Sequence, residues 1–190
     1  MARREKSRTA SRKLATNNTN NTNKKLKIIR VIRVIRGKNL MKFRFVWIGK
    51  TRDKNWRALQ AEYLQRLSHF VKVELIEIKD ASTHDAKEVE SKRILEKVNQ
   101  SNFVCVLDVK GRSVSSHELA GKIESWQNRG LKEIAFVIGG AEGVTPEVVE
   151  KADFSLSLSS FTLTHEAARV ILIEQLYRAY TIIKGFPYQK

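Results

Sequence analysis

A single α/β domain with a largely parallel sheet is the fold this sequence predicts, and three observations predict it. Strand-type and helix-type hydrophobic patterns alternate five times between Met41 and Lys190. Two strand segments, Phe103 to Leu107 and Glu133 to Ile138, are short apolar runs of the kind found where a strand is buried on both faces. The helical segments carry capping signals where they begin, so they read as crossovers between parallel strands.

The elements follow in order. Phe43, Phe45 and Trp47 alternate along a first strand that ends at Gly49. Trp56, Leu59, Tyr63 and Leu67 then take the three-and-four spacing of an amphipathic helix. Val71 to Ile78 reads as a second strand, with Val71, Val73 and Leu75 on one face. The polar loop Lys79 to Thr83 leads to a charged helix ending near Gln100, with Val89, Ile94 and Val98 as its sparse apolar face. After Phe103 to Leu107, Gly111 suggests a turn, and Ser115-Ser-His-Glu118 is a capping box for a helix reaching Arg129. Beyond the strand Glu133 to Ile138, Thr145-Pro-Glu147 offers an N-cap, a proline at the first helical position and an acid in the first turn. Asp153 to Leu158 is a weaker strand. The last helix runs from about His165 to Lys184, with Leu172, Leu176, Tyr180 and Ile183 on one face and Gly185 as its stop.

Charge is divided unevenly. Residues 1–40 hold 13 of the 36 basic residues and one of the 20 acidic ones, whereas 41–190 hold 23 and 19. The first 40 residues contain the low-complexity run Asn17-Asn-Thr-Asn-Asn-Thr-Asn23, which offers nothing to a core. Arg30, Arg33 and Arg36 recur every three residues, a period of neither strand nor helix. Three readings stand for this extension: a basic arm for RNA phosphates, an organelle transit peptide, or sequence upstream of a true start at Met41. The globular domain is 41–190.

Composition excludes several classes. One cysteine, Cys105, rules out a disulfide framework and a multi-thiolate zinc site, and its apolar neighbours make it a buried thiol. No apolar run approaches the ~20 residues of a membrane span, so a reducing cytoplasm is the expected compartment. Ile48-Gly-Lys-Thr51 imitates the end of a P-loop, but the required earlier glycine falls at Arg44. Gly139-Gly-Ala-Glu-Gly143 is not the dinucleotide fingerprint and follows the fourth strand, not the first. The four histidines are isolated, without the pairing of zinc hydrolases, and no metal is expected.

What remains is a set of strand-end loops, where open parallel sheets bind ligands. Leu107-Asp108, Ile138-Gly-Gly140 and Leu158-Ser-Ser-Phe-Thr-Leu163 offer close backbone approach, hydroxyls and an apolar wall suited to an adenine and a ribose. The plain alternative is a tight turn and a helix cap without a ligand.

From Met41 to Lys190 the chain resembles the RlmH family of ribosomal RNA large-subunit methyltransferases, minimal members of the SPOUT, or trefoil-knot, class. The residues that carry the resemblance are Gly49-Lys50, Glu62-Tyr63, Arg66-Leu67, Leu75-Ile-Glu77, Leu107-Asp108, Gly111 and Ile138-Gly-Gly-x-x-Gly143. The most diagnostic run extends from Leu156 through Thr162, His165 and Arg169 to Glu174-Gln-Leu-Tyr-Arg-Ala179 and Pro187-Tyr188.

The resemblance implies a knot in the C-terminal half, a homodimer, S-adenosylmethionine as cofactor, and methylation of a 23S rRNA pseudouridine at ring N3 in the assembled ribosome. It implies cofactor contacts at Leu107, Gly139, Leu158, Ser159, Ser160, Phe161, Thr162 and Leu163. Ring N3 must lose its proton before it attacks a methyl group, so a base or cationic stabiliser is wanted nearby. His165, Arg169 and Arg178 are candidates, and Tyr188 and Gln189 are candidates to complete the site from the partner subunit. Structural roles compete for each: His165 as a helix cap, Arg169 as a brace, Tyr188 as an anchoring aromatic. The family usually has Pro-His where this chain has Thr164-His165, and Tyr-His where it has Tyr188-Gln189. Glutamine hydrogen-bonds but does not titrate. The competing functional class is a non-catalytic ribosome- or RNA-binding protein on the same scaffold, distinguished by RNA binding without cofactor binding.

Overall fold

The computed structural model describes residues 41–82 and 84–188. The expectations for residues 1–40 and for Gln189 lie outside the described residues. Five strands form one fully parallel sheet in the order β2-β1-β4-β3-β5. The strands are β1 Lys42–Ile48, β2 Lys72–Ile78, β3 Val104–Ser113, β4 Glu133–Ile138 and β5 Phe154–Ser157. The helices are α1 Lys54–Ser68, α2 Ala86–Val98, α3 Ser116–Asn128, α4 Pro146–Glu150 and α5 His165–Ile183.

Strand alternation divides the core into two layers. Phe43, Phe45 and Trp47 of β1, with Ile134, Phe136 and Ile138 of β4, face Leu67 of α1, Leu119, Ile123 and Trp126 of α3, and Leu172, Leu176 and Tyr180 of α5. Val46 and Ile48, with Val104, Val106, Ala135 and Val137, face Ile94 and Val98 of α2 and Val148 of α4. Phe43 meets Phe136 edge-on at 5.1 Å, and Phe70 stacks on Tyr180 at 5.3 Å. The buried Tyr180 hydroxyl accepts a bond from Gln127 Nε2 at 2.6 Å. Polar residues tie the sheet where β1 and β4 begin: Arg44 reaches Glu74 at 3.1 Å and Glu133 at 3.0 Å.

Three local expectations change. Leu59 is exposed and Gln60 is buried, because Thr51, itself held by Arg169, offers the amide a polar partner beneath α1. Leu75 is exposed because β2 is an edge strand. Gly111 does not end β3; the strand continues to Ser113. Leu156 of β5 is paired with both Leu107 and Arg112, so β3 bulges between them. A Cβ on Gly111 would lie 2.8 Å from the Ser155 carbonyl carbon and 2.9 Å from that of Leu156, so only glycine admits this crossing. The capping box at Ser115 forms as expected, with Ser115 Oγ accepting from Glu118 N at 3.2 Å.

Candidate active site

The bulged middle of β3, the carboxyl ends of β4 and β5 and the start of α5 enclose a cleft of about 540 Å³. That size is ordinary for a small-molecule site, about 300–1,000 Å³. Its apolar wall comes from Leu107, Ile138, Leu156, Leu158 and Leu163. Among the residues named from sequence as cofactor contacts, Leu107, Gly139, Leu158, Ser159, Phe161, Thr162 and Leu163 line it, and Ser160 does not.

The glycine turn after β4 is shaped by close contact. A Cβ on Gly139 would lie 2.5 Å from Gly143 O, and one on Gly140 would lie 2.3 Å from Glu90 Oε2. Gly143 N donates back to Gly140 O at 3.1 Å, closing the turn. The loop after β5 is held by its own hydroxyls: Ser157 Oγ donates to Ser159 O at 3.1 Å, and Ser159 Oγ accepts from Phe161 N at 2.9 Å. Thr164 Oγ1 caps α5 by accepting from Ala167 N at 3.3 Å, so the cap belongs to Thr164 and leaves His165 free of that task.

The cleft has a distinctive charge. Asp108 and Glu142 are in its lining, and among the described residues no lysine or arginine is. A phosphate-bearing nucleotide would find carboxylates and no cation there. A ligand with a positive centre would find the reverse. Asp108 and Glu142 were not singled out as contacts from sequence; their positions right after a buried strand and inside the glycine turn were the available signal. Thr164 and Ala168 were also passed over, although Ala168 lies one helical turn from Thr164 and His165 on the same face.

His165 stands at the mouth of the cleft, and burial, reinforced by the nearby Arg169 charge, holds its imidazole below the usual histidine range. Arg169, one turn further, is elsewhere: it is completely buried and absent from the cleft lining. Its Nη1 donates to Thr51 Oγ1 at 3.0 Å, its Nη2 donates to the Ile48 carbonyl, and its guanidinium lies 5.1 Å from the Trp47 ring centre. Thr51 Oγ1 in turn donates to Gln60 Oε1 at 2.6 Å. Arg169 thereby braces α5 against the loop leaving β1. Glu166 holds the same loop from the first turn of α5, accepting from the backbone amides of Arg52 and Asp53.

Arg178 and Tyr188 form a separate group at the far end of α5. From His165 to Arg178 is 13 residues, about 20 Å along a helix. Arg178 Nε and Nη2 both reach Glu174 Oε1, at 2.9 and 2.6 Å, and its guanidinium lies over the Tyr188 ring at 4.8 Å. Tyr188 donates to Glu174 Oε1 at 3.2 Å and meets the Tyr63 hydroxyl at 3.3 Å. Burial and that carboxylate push the Tyr188 phenol up. Within one subunit, then, the cation and tail tyrosine do not join His165 at the cleft.

Comparison with known proteins adds an independent line. The family model for predicted SPOUT methyltransferases matches residues 41–189. The ribosomal RNA large subunit methyltransferase H of Acetivibrio thermocellus is 39% identical over 159 residues, covering 79% of this chain and 100% of that protein. The protein of the same name from Halothermothrix orenii is 40% identical over the same coverage. Among solved structures, a probable methylase family protein from Haemophilus influenzae matches with a TM-score of 0.52 and 16% identity, over 78% of this chain and 70% of that one. A probable methyltransferase from Bordetella pertussis gives 0.50 and 12%, over 74% and 97%. The structural matches concern the fold alone. The parallel sheet, the strand-end cleft and the sequence agreement across residues 41–189 make this chain a member of the SPOUT methyltransferase family.

Proposed function

We propose that the protein is an S-adenosylmethionine-dependent methyltransferase acting on ring N3 of a pseudouridine in 23S rRNA, on cytoplasmic ribosomes and as a homodimer. The observation that carries the cofactor assignment is the cleft with two carboxylates and no lysine or arginine. It suits a cationic nucleoside and disfavours a dinucleotide. The relatives named large subunit methyltransferase H support the substrate class. The SPOUT reading also carries a trefoil-knotted path, which the double pairing of Leu156 and the Gly111 crossing support.

When bound, S-adenosylmethionine supplies a methyl group made electrophilic by a sulfonium and leaves as a neutral thioether. The protein's part is to hold and orient. Leu107, Leu156, Leu158 and Leu163 give a ring system an apolar slot, while the turns at Gly139 and Ser159 present backbone groups to polar edges. Asp108 and Glu142 attract the positive end. His165 lines the cleft within reach of its mouth and is the group there that could take the N3 proton, although burial and the Arg169 charge lower its affinity for one. Arg178, Tyr188 and Gln189 enter this reading from the second subunit, since within the chain Arg178 lies about 20 Å from His165 along α5 and Tyr188 packs against Arg178. Phe161 and Val109 at the mouth, 80% and 58% exposed, are suited to being covered by that subunit.

The test is transfer of a labelled methyl group to intact ribosomes from a strain lacking its own enzyme, beside free rRNA, with the modified base mapped. Transfer to one pseudouridine of the intact ribosome is expected. Absence of both cofactor binding and transfer overturns the reading, and salt-sensitive RNA binding alone would favour the non-catalytic scaffold. For the dimer, a Gly139→Ala chain and a Tyr188→Ala chain, each inactive alone, should regain activity when mixed.

A further inference from the structure

Beside the cleft lies a second hollow of about 710 Å³, between the loop after β1 and the start of α2. Gly140, Ala141 and Glu142 line both spaces, so the glycine turn after β4 borders each of them. Carboxylates outnumber lysines and arginines in this hollow. Three of them are engaged by the loop after β1 and its neighbours. Asp53 accepts from the amides of Asn55 and Trp56, Asp80 pairs with Arg52 at 3.0 Å, and Glu166 accepts from the amides of Arg52 and Asp53.

Glu90 of α2 is different, because it is buried, with 7% of its surface exposed. Its Oε1 accepts from Ala81 N at 2.9 Å. Its Oε2 fills the space that a Cβ on Gly140 would need. Among the described residues no lysine, arginine or histidine nitrogen lies within 4 Å of either oxygen. Lys87, one turn earlier on α2, lines the same hollow without pairing. A glutamine would serve the Ala81 amide equally well, since its side-chain oxygen accepts in the same way. Burying a carboxylate costs more than burying an amide, and buried charges are ordinarily paired. What the carboxylate adds here is therefore charge, placed against a turn that also lines the cleft.

We propose that Glu90 is a buried counter-charge for the cofactor, acting across the glycine turn on the sulfonium and setting a preference for S-adenosylmethionine over S-adenosylhomocysteine. The inference rests on the methyltransferase reading and adds to it a residue that selects the loaded cofactor. The two molecules differ by one methyl group and one positive charge, so shape alone separates them poorly. Glu142 at the same turn is exposed, and water and salt screen it. Glu90 is enclosed, and its field crosses one layer of backbone in a medium that screens weakly. Once the methyl group has passed to the acceptor, the sulfur is neutral and this attraction is gone. The spent molecule is then held less tightly than its replacement.

The experiment measures affinity for both molecules by calorimetry in the full chain and in Glu90→Gln, Glu90→Asp and Glu88→Gln. Glu90→Gln keeps the acceptor for Ala81 N and should melt with the unaltered protein. Its affinity for S-adenosylmethionine should fall on the order of tenfold, with S-adenosylhomocysteine changed by less than about twofold. Glu90→Asp keeps the charge and should keep most of the preference. Glu88→Gln makes the same charge change on the exposed side of α2 and should leave the ratio as it was. A second measurement needs no variant: in the unaltered protein the ratio of the two affinities should persist between about 50 and 500 mM salt, because the charge is buried. An unchanged ratio in Glu90→Gln, equal weakening of both molecules, or a ratio that collapses with salt overturns the proposal alone. Failure of the unaltered protein to bind either molecule overturns the methyltransferase reading and this inference with it.

Discussion

Replacing Arg169 by methionine tests the brace between α5 and the loop leaving β1. The side chain makes two charge-assisted bonds inside the protein, to the Ile48 carbonyl and Thr51 Oγ1. Bonds of this type contribute about 1.5–3 kcal/mol each. Against their loss stands relief from burying a cation, which is the main cause that pushes the Arg169 guanidinium down, and the apolar fit of methionine over Trp47. The net cost is about 2–4 kcal/mol. For a domain of this size that corresponds to a fall of roughly 5–15 °C in melting temperature. Arg169→Lys should fall between, because one ammonium on a flexible stem replaces a fork that reaches two acceptors.

The same substitution has an electrostatic readout. Arg169 is the second cause, after burial, that lowers the His165 pKa, so its removal should move the imidazole titration upward. NMR titration of the imidazole protons measures this directly. The sign for stability follows. With the folded pKa below the ordinary 6.5, the unfolded chain binds more protons in the window between the two values. The contribution is complete above about pH 6.5 and is lost as pH falls through that window, and the loss should be shallower in Arg169→Met. A variant that melts with the parent protein and leaves the His165 titration in place would refute the brace and the coupling together.

Other outcomes are as specific. Gly139→Ala should weaken cofactor binding on the order of tenfold or more by calorimetry, because its Cβ would lie 2.5 Å from Gly143 O and push the turn into the cleft. Gly111→Ala should cost about 3 kcal/mol in denaturant unfolding, since the atoms it meets are β5 backbone and cannot swing aside. A chain beginning at Met41 should fold, bind cofactor and transfer methyl groups as the full chain does, checked by melting and labelled transfer; lost activity would give residues 1–40 a role.

Much of the fold was legible because the residues that build it obey one period at a time. Phe43, Phe45 and Trp47 alternate and take one face, and Leu172, Leu176 and Tyr180 repeat by helical turns and take the opposing one. The departures have physical causes outside the pattern. Leu59 and Gln60 exchange burial because Thr51, nine residues before Gln60 and itself held by the distant Arg169, donates to the amide under α1, and no helical spacing announces it. Gly111 looked like a turn because the sequence contains no sign that β5 passes against it. For the site, most of the cofactor contacts named from sequence line one cleft, since parallel topology brings those loops together. Ser160 was included because its neighbours qualify, yet it does not line the cleft. Asp108 and Glu142 lie in loops that the sequence singled out, but the role of their carboxylates depends on which other charges share the lining, and that only the assembled cleft reveals.

Helix α5 explains why the two sides of the site should respond together. Its first turn supplies His165 to the cleft and Glu166 to the loop after β1, and its second supplies Arg169 to that loop. A shift of this helix end would therefore alter the cleft and the loop after β1 at once. Small errors in its placement are costly because Arg169 is enclosed on all sides and cannot adjust without breaking a bond. Cofactor affinity and melting temperature should consequently fall together in Arg169→Met. Finding that Arg169→Met lowers the melting temperature and spares cofactor affinity would separate the two sides and leave α5 as a support for the core alone.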